Sequence, residues 1–260
     1  VRVMGKLLPH LPAGKRLVEP FAGSCAVMMN TDYDEYFIAD INTDLTRLYG
    51  YVQWYEEEFI NKAKEIFENK NHQEAYYSYR SAFNEKDIYK NRFNKAIQFL
   101  YLNRHCYNGL CRYNASGEFN TPYGKYKRVY FPENEIRAFY EKARRCKLNI
   151  SCLDWQDTLT LVDYGDVVYC DPPYLTKNGA FTQYHQSAFT PADHELLAVI
   201  LHALNNELGV PVTVSNSIDA KTLYADLGFT VHEIDAPRTI AANGNRQPAP
   251  EIIAVLGERP

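Results

Sequence analysis

A chain of 260 residues can form one large domain, or a core with a smaller insertion. Its 46% hydrophobic and 23% charged residues are ordinary for a globular protein, and no run approaches the ~18 apolar residues of a membrane span. The net charge of −4 argues mildly against a nucleic-acid partner, but the distribution of charge matters more than its total.

Residues 15–50 read as β-turn-α-β. Leu17–Phe21 is a short strand leading into the small-residue turn Ala22-Gly23-Ser24. Cys25–Met29 then opens a helix, and Tyr36–Asp40 is a second strand ending in an acid. One glycine in the turn makes no G-x-G-x-x-G fingerprint. The acid at Asp40 nevertheless has the spacing at which α/β folds grip a ribose. Residues 51–103 are helical in texture, with Phe93, Ile97 and Leu100 at i, i+4, i+7.

Residues 104–132 carry the turn signals Asn108-Gly109, Ser116-Gly117, Thr121-Pro122 and Tyr123-Gly124, which predict a β-hairpin or ordered loop. Arg104, Arg112, Lys125, Lys127 and Arg128 lie in this stretch against one acid, Glu118, interleaved with tyrosines and Phe119. A second basic run, Arg137–Lys147, reads as a solvated helix face.

The βα alternation resumes with a strand at Leu148–Cys152 and another at Val167–Cys170. Thr190-Pro191-Ala192-Asp193 is a capping box with proline at the first helical position, opening a helix that stops at Gly209. Val210–Ser215 is a strand and Ala220–Leu227 a helix. Phe229–Ile234 and Glu251–Leu256 form a terminal strand pair. Residues 241–250, rich in Asn, Gly and Pro, are expected to be a mobile loop.

Cys25, Cys106, Cys111, Cys146, Cys152 and Cys170 form no C-x-x-C pair and no cysteine–histidine cluster of zinc spacing. Reduced thiols in a cytoplasmic protein without a bound metal are expected. No secretory signal is visible.

The most informative motif is Asp171-Pro172-Pro173-Tyr174, where the apolar run Val167–Cys170 stops. Two prolines fix φ and remove two backbone donors, which leaves neighbouring carbonyls free to accept. A carboxylate, bare carbonyls and an aromatic face together suit a planar base carrying an amino group. Tyr174 can stack on the ring, while Asp171 and the Pro172 carbonyl accept the amino hydrogens.

With these motifs in view, the chain resembles the DNA adenine-N6 methyltransferases of the Dam type, which methylate GATC. The resemblance is carried by Leu17–Gly23, Ala39–Asn42, Leu100–Arg104, Tyr107–Asn114, Gly117–Asn120, Val168–Tyr174 and Ser215-Asn216. It implies an α/β class I methyltransferase fold: a Rossmann-like, mostly parallel sheet with helices on both faces and an antiparallel last strand. Residues 1–50 and 136–260 would be catalytic. Residues 51–135 would be an inserted helical target-recognition domain with a hairpin near 106–127. The cofactor would be S-adenosylmethionine, with Phe21, Ala22 and Gly23 against its methionine part and Asp40 on its ribose. Asp154 and Trp155 would flank its adenine, and Glu19 and Asp171 would complete its site.

The resemblance also assigns the catalytic turn to Asp171, Pro172, Pro173 and Tyr174, and the substrate to double-stranded DNA. Arg112 would read guanine, Leu110 and Pro122 the thymine methyl. Tyr107 and Asn108 would enter the base stack. Arg104, Lys125 and Tyr126 would hold phosphates or the hairpin, and Asn114 would lie in the DNA interface. The family's N-terminal segment, which touches the cofactor and the first guanine, is expected upstream of Val1. A monomer associated with the nucleoid through DNA is expected. Alternatives are an adenine methyltransferase of another recognition sequence, an RNA or protein-amide methylase, and a silent DNA-binding module. A dinucleotide oxidoreductase is poorly supported without the glycine fingerprint.

Overall fold

In the computed structural model, residues 3–85, 91–176, 189–236 and 249–257 are described. After the short helix α1 (Met4–Leu7), β1 (Arg16–Glu19) and β4 (Asp166–Cys170) form the centre of a seven-stranded sheet. Every residue of β4 is buried, as a strand covered on both faces requires. β1 stops at Glu19, before Pro20, which has no N–H to continue the ladder.

A short helix, α2 (Ala26–Met29), leads to β2 (Glu35–Ala39). Three longer helices follow: α3 (Thr43–Asn69), α4 (Gln73–Asn84) and α5 (Arg92–His105). α3 is capped by the Asn42 side chain and bent at Tyr55, where φ is −134° and ψ 38°. After α6 (Glu133–Arg145) come β3 (Lys147–Ser151) and α7 (Trp155–Leu159). Past β4 lie α8 (Pro191–Leu208), β5 (Val212–Ser217), α9 (Lys221–Asp226), β6 (Thr230–Ala236) and β7 (Ala249–Leu256).

The sheet order is β3-β2-β1-β4-β5-β7-β6. β1 to β5 pair in parallel, and β7 runs antiparallel to both β5 and β6. The expected terminal strand pair is present, and its second strand, β7, also pairs antiparallel with β5. β7 starts at Ala249, so the end of the expected 241–250 loop is strand; residues 241–248 lie outside the described residues.

The described chain divides into two compact units. The sheet unit holds residues up to Ile41 and the described residues from Cys146 onward; the helical unit holds Asn42–Arg145. These bounds differ from the expected 51–135, because α3 begins eight residues earlier, at Thr43, and α6 packs with α3. The sheet unit's core joins Val18, Phe37, Val168, Val212 and Ile252 to Leu197 and Leu201 of α8. The helical unit has its own core of Tyr76, Phe83, Phe99, Tyr101, Leu102, Cys106 and Phe119.

Candidate active site and nucleic-acid interface

In a doubly wound sheet, ligands lie outside the carboxyl ends of the parallel strands, at the point where the strand order reverses. Here that point is the β1/β4 pair. Glu19 ends β1, and Asp171 follows β4. Asp40 follows β2, and Ser215, Asn216 and Ser217 end β5. Glu251 lies at the same edge, because antiparallel β7 starts there and Glu251 is the register partner of Ser217.

Asp171 is exposed as a residue, while its carboxyl is enclosed by its neighbours. That enclosure pushes its carboxyl up to about 6, with Ser215 pulling it down and Glu251 adding to the rise. The Ser215 hydroxyl donates to Asp171 Oδ1 at 2.7 Å and lies 2.8 Å from the Tyr169 hydroxyl. Asn216 Oδ1 accepts the Leu175 N–H, and the Ser217 hydroxyl donates to the Leu175 carbonyl. The end of β5 thus grips the Asp171–Tyr174 turn on both sides. Pro172 is buried and Pro173 half-buried. Tyr174 is 37% exposed, and its hydroxyl donates to Glu251 Oε2 at 3.1 Å.

Glu19 is 2% exposed, and its Oε1 has no hydrogen-bond partner. Burial drives its carboxyl up to about 8, against a backbone hydrogen bond from Met28 and with the Asp171 charge adding to the rise. Asp40 Oδ2 accepts the N–H of Gly23, which ties the turn after β1 to the end of β2. Ala22 is buried there and donates its N–H to the Ala39 carbonyl. Gly23 has φ +46°, and nothing lies within 4 Å of where its Cβ would stand.

Phe21 and Trp155 face each other with planes 22° apart and centroids 6.4 Å apart. Phe189 meets both edge-on. Trp155 is buried, and Asp154 caps α7 by accepting the Gln156 N–H.

In the helical unit, the Asn108-Gly109 turn forms with positive φ at both residues, closed by the Leu110 N–H on the Tyr107 carbonyl. No hairpin runs across it. The expected hairpin is an ordered loop with two isolated antiparallel bridges, Cys106–Tyr123 and Tyr113–Phe119. Its tip is a turn held by Asn114, whose Oδ1 accepts the N–H groups of Ser116 and Glu118.

The loop gathers most of the residues expected at DNA. The Tyr107 N–H donates to the Pro122 carbonyl, the Asn108 N–H to the Tyr126 hydroxyl, and the Thr121 hydroxyl to the Leu110 carbonyl. Tyr107, Asn108, Arg112, Pro122 and Lys125 are exposed, while Leu110 is half-buried. Arg112 Nε donates to Asn120 Oδ1 at 2.8 Å and Nη2 to the Asn120 carbonyl at 3.3 Å. Helix α4 braces the same strip: Arg80 donates to the Thr121 carbonyl, and Asn84 pairs with both backbone groups of Phe119. Arg104 is half-buried, with its Nε donating to the Tyr130 carbonyl and the guanidinium 5.4 Å from that exposed ring.

Sequence reasoning assigned no role to Tyr169, Ser215, Ser217, Glu251 or Asn120. A run of hydrogen-bonding residues ending an apolar strand, Ser215-Asn216-Ser217, was the available signal.

Residues 1–240 match the family described as D12 class N6 adenine-specific DNA methyltransferase. The chain is 51% identical over 260 residues to the Retron Ec67 DNA adenine methylase of Escherichia coli, covering 99% of this chain and 88% of that protein. It is 44% identical over 237 residues to the DNA adenine methylase of Serratia marcescens, covering 90% and 86%. The corresponding enzyme of Vibrio cholerae is 39% identical over 252 residues, covering 95% and 89%.

Proposed function

Because the chain belongs to the D12 class N6 adenine-specific DNA methyltransferases, we propose that its methyl donor is S-adenosylmethionine and that its target adenine lies within GATC of duplex DNA. The carrying observation is the Asp171–Tyr174 turn at the carboxyl edge of the sheet, gripped by β5 and beside Glu19.

The residues suit that donor. A buried carboxyl with an orphaned oxygen, Glu19, is a fitting partner for an amino acid's ammonium group. The open face at Gly23 admits close approach of a ligand. Asp40 stands where ribose hydroxyls are gripped, and Phe21, backed by buried Trp155, lines an apolar wall beside it that suits a purine. When bound, the donor supplies an electrophilic methyl group on a positively charged sulfur.

The adenine amino nitrogen is a poor nucleophile, since its lone pair is delocalised into the ring. Acceptance of its two hydrogens by Asp171 and the Pro172 carbonyl favours a pyramidal nitrogen with its lone pair aimed outward. Positive charge then develops on that nitrogen, and the carboxylate beside it stabilises the charge. With its carboxyl at about 6, Asp171 is mostly ionised at neutral pH, the form that offsets the charge developing on the nitrogen. The alkylated nitrogen is acidic enough to lose its proton to water or to Asp171. Extruding the base costs a few kcal/mol of stacking and pairing, offset by the Tyr174 ring.

What supports GATC is the Tyr107–Asn114 block with Pro122, where Arg112 offers a guanidinium braced by Asn120. Mapping N6-methyladenine on a plasmid after incubation with the protein and S-adenosylmethionine tests the reading. Methylation confined to GATC is expected, and methylation at another sequence overturns that specificity. Arg112→Ala should lose about 1–3 kcal/mol of discrimination at one guanine. Asp171→Ala should abolish transfer while DNA binding persists; near-normal turnover in that variant sinks the mechanism.

A further inference from the structure

The two ends of the catalytic turn are anchored to groups with opposite effects on the same carboxylate. Ser215 is 5% exposed, and its single hydroxyl proton goes to Asp171 Oδ1. The 2.8 Å contact between Ser215 Oγ and the Tyr169 hydroxyl therefore has tyrosine as the donor. The result is a one-way chain, Tyr169 to Ser215 to Asp171, that commits Oδ1 and fixes the plane of the carboxylate. Across the register, Glu251 accepts the Tyr174 hydroxyl, so the stacking ring is tied to a second carboxylate.

We propose that Ser215 and Glu251 are opposed positioning residues for methyl transfer. Ser215 holds Asp171 with Oδ2 presented to the adenine amino group, and Glu251 holds the Tyr174 ring while setting a like charge beside Asp171. This rests on the reading of Asp171 as the amino acceptor.

The groups facing Asp171 can be named from each strand. Glu19 comes from β1, Tyr169 and Cys170 from β4, Ser215 from β5 and Glu251 from β7, with Tyr174 in the turn itself. Glu19, pushed up to about 8, is neutral in the range where Asp171 titrates. The groups acting on Asp171 in that range are then Ser215, which stabilises the charged form, and Glu251, which opposes it. The ionised carboxylate accepts more strongly and offsets the charge that develops on the nitrogen, so kcat/KM falls as pH drops through the Asp171 value of the free enzyme.

Ser215→Ala removes a donor to the carboxylate, so the acid limb of kcat/KM moves to higher pH. Glu251→Gln removes the neighbouring charge but keeps an acceptor oxygen for Tyr174, so the limb moves to lower pH. Each shift is expected at about 0.5–1 pH unit. Tyr169→Phe removes one of the two tyrosine hydroxyls on Ser215 and leaves Tyr174 as the other. It gives a smaller upward shift, and it serves with Glu251→Gln if Ser215→Ala does not fold. The readout is labelled methyl transfer to plasmid DNA between about pH 5 and 8, which does not depend on the recognition sequence. Loosened packing does not move the limb in opposite directions. Limbs that stay put, or that move together, overturn the proposal. Turnover in Asp171→Ala overturns instead the acceptor reading beneath it.

Discussion

Glu19 ends β1 with a carboxyl that the folded chain surrounds but leaves one oxygen unpaired. Its proton is held more tightly in the folded protein than in the unfolded chain, because burial lifts the carboxyl from 4.5 to about 8. The stabilisation this proton gives is complete below about pH 4.5 and is lost as pH rises through about 8. Without cofactor, the unfolding free energy should therefore fall between pH 5 and 8, and Glu19→Gln should flatten that fall. Urea unfolding at about pH 5, 6.5 and 8 measures it; an unchanged slope in the variant would assign the pH dependence elsewhere. Glu19 was legible in sequence only through a resemblance, since nothing in Leu17–Phe21 says which residue is trapped without a partner. The Asp171–Tyr174 turn was legible from chemistry alone, because consecutive prolines after a β-branched run leave few alternatives. Ser215 was not, since its partners Asp171 and Tyr169 are 44 and 46 residues away and meet it only through strand pairing.

Elements whose ends are specified by short-range chemistry were read well. Helix α8 starts with the capping box that Thr190, Pro191 and Asp193 spell out, with both reciprocal hydrogen bonds present. It ends at Gly209 with φ +66°, a conformation that a Cβ disfavours. Thr190→Ala should cost about 1 kcal/mol of stability, seen as a lower urea midpoint with an unchanged slope. A midpoint equal to the parent's would mean that Asp193 and the dipole suffice at this helix start. Elements defined by long-range pairing were read less well. Asn108-Gly109 adopts the turn its residues favour, yet Cys106 bridges Tyr123 instead of the residue across the turn. Likewise, β7 reads locally as one arm of a terminal pair. Its place between β5 and β6 follows only from the assembled sheet, and that place brings Glu251 to the edge that carries the Asp171–Tyr174 turn.

At the scale of the whole molecule, a net charge of −4 is a poor guide to a protein that acts on a polyanion. Cations are concentrated instead, with Lys125, Lys127 and Arg128 exposed at the end of the 106–127 loop, where the proposed reading puts DNA phosphates. Lys125 sits at φ +55°, held in place while the neighbouring Tyr126 hydroxyl accepts the Asn108 N–H and Asn71 donates to the Tyr126 carbonyl. A phosphate bound by such a side chain releases counterions, so the pairing shows as salt dependence more than as sequence preference. Replacing Lys125, Lys127 and Arg128 together with alanine should lower the slope of log affinity against log salt by about 0.9 for each phosphate that is no longer neutralised. Fluorescence anisotropy with a short duplex across a salt series reads this directly. The ratio of cognate to scrambled affinity should stay near that of the parent, since the groups assigned to base edges, Arg112, Leu110 and Pro122, are untouched. A slope equal to the parent's would remove these three residues from the DNA interface. A collapsed cognate preference at constant slope would make them readers of sequence instead of holders of the backbone.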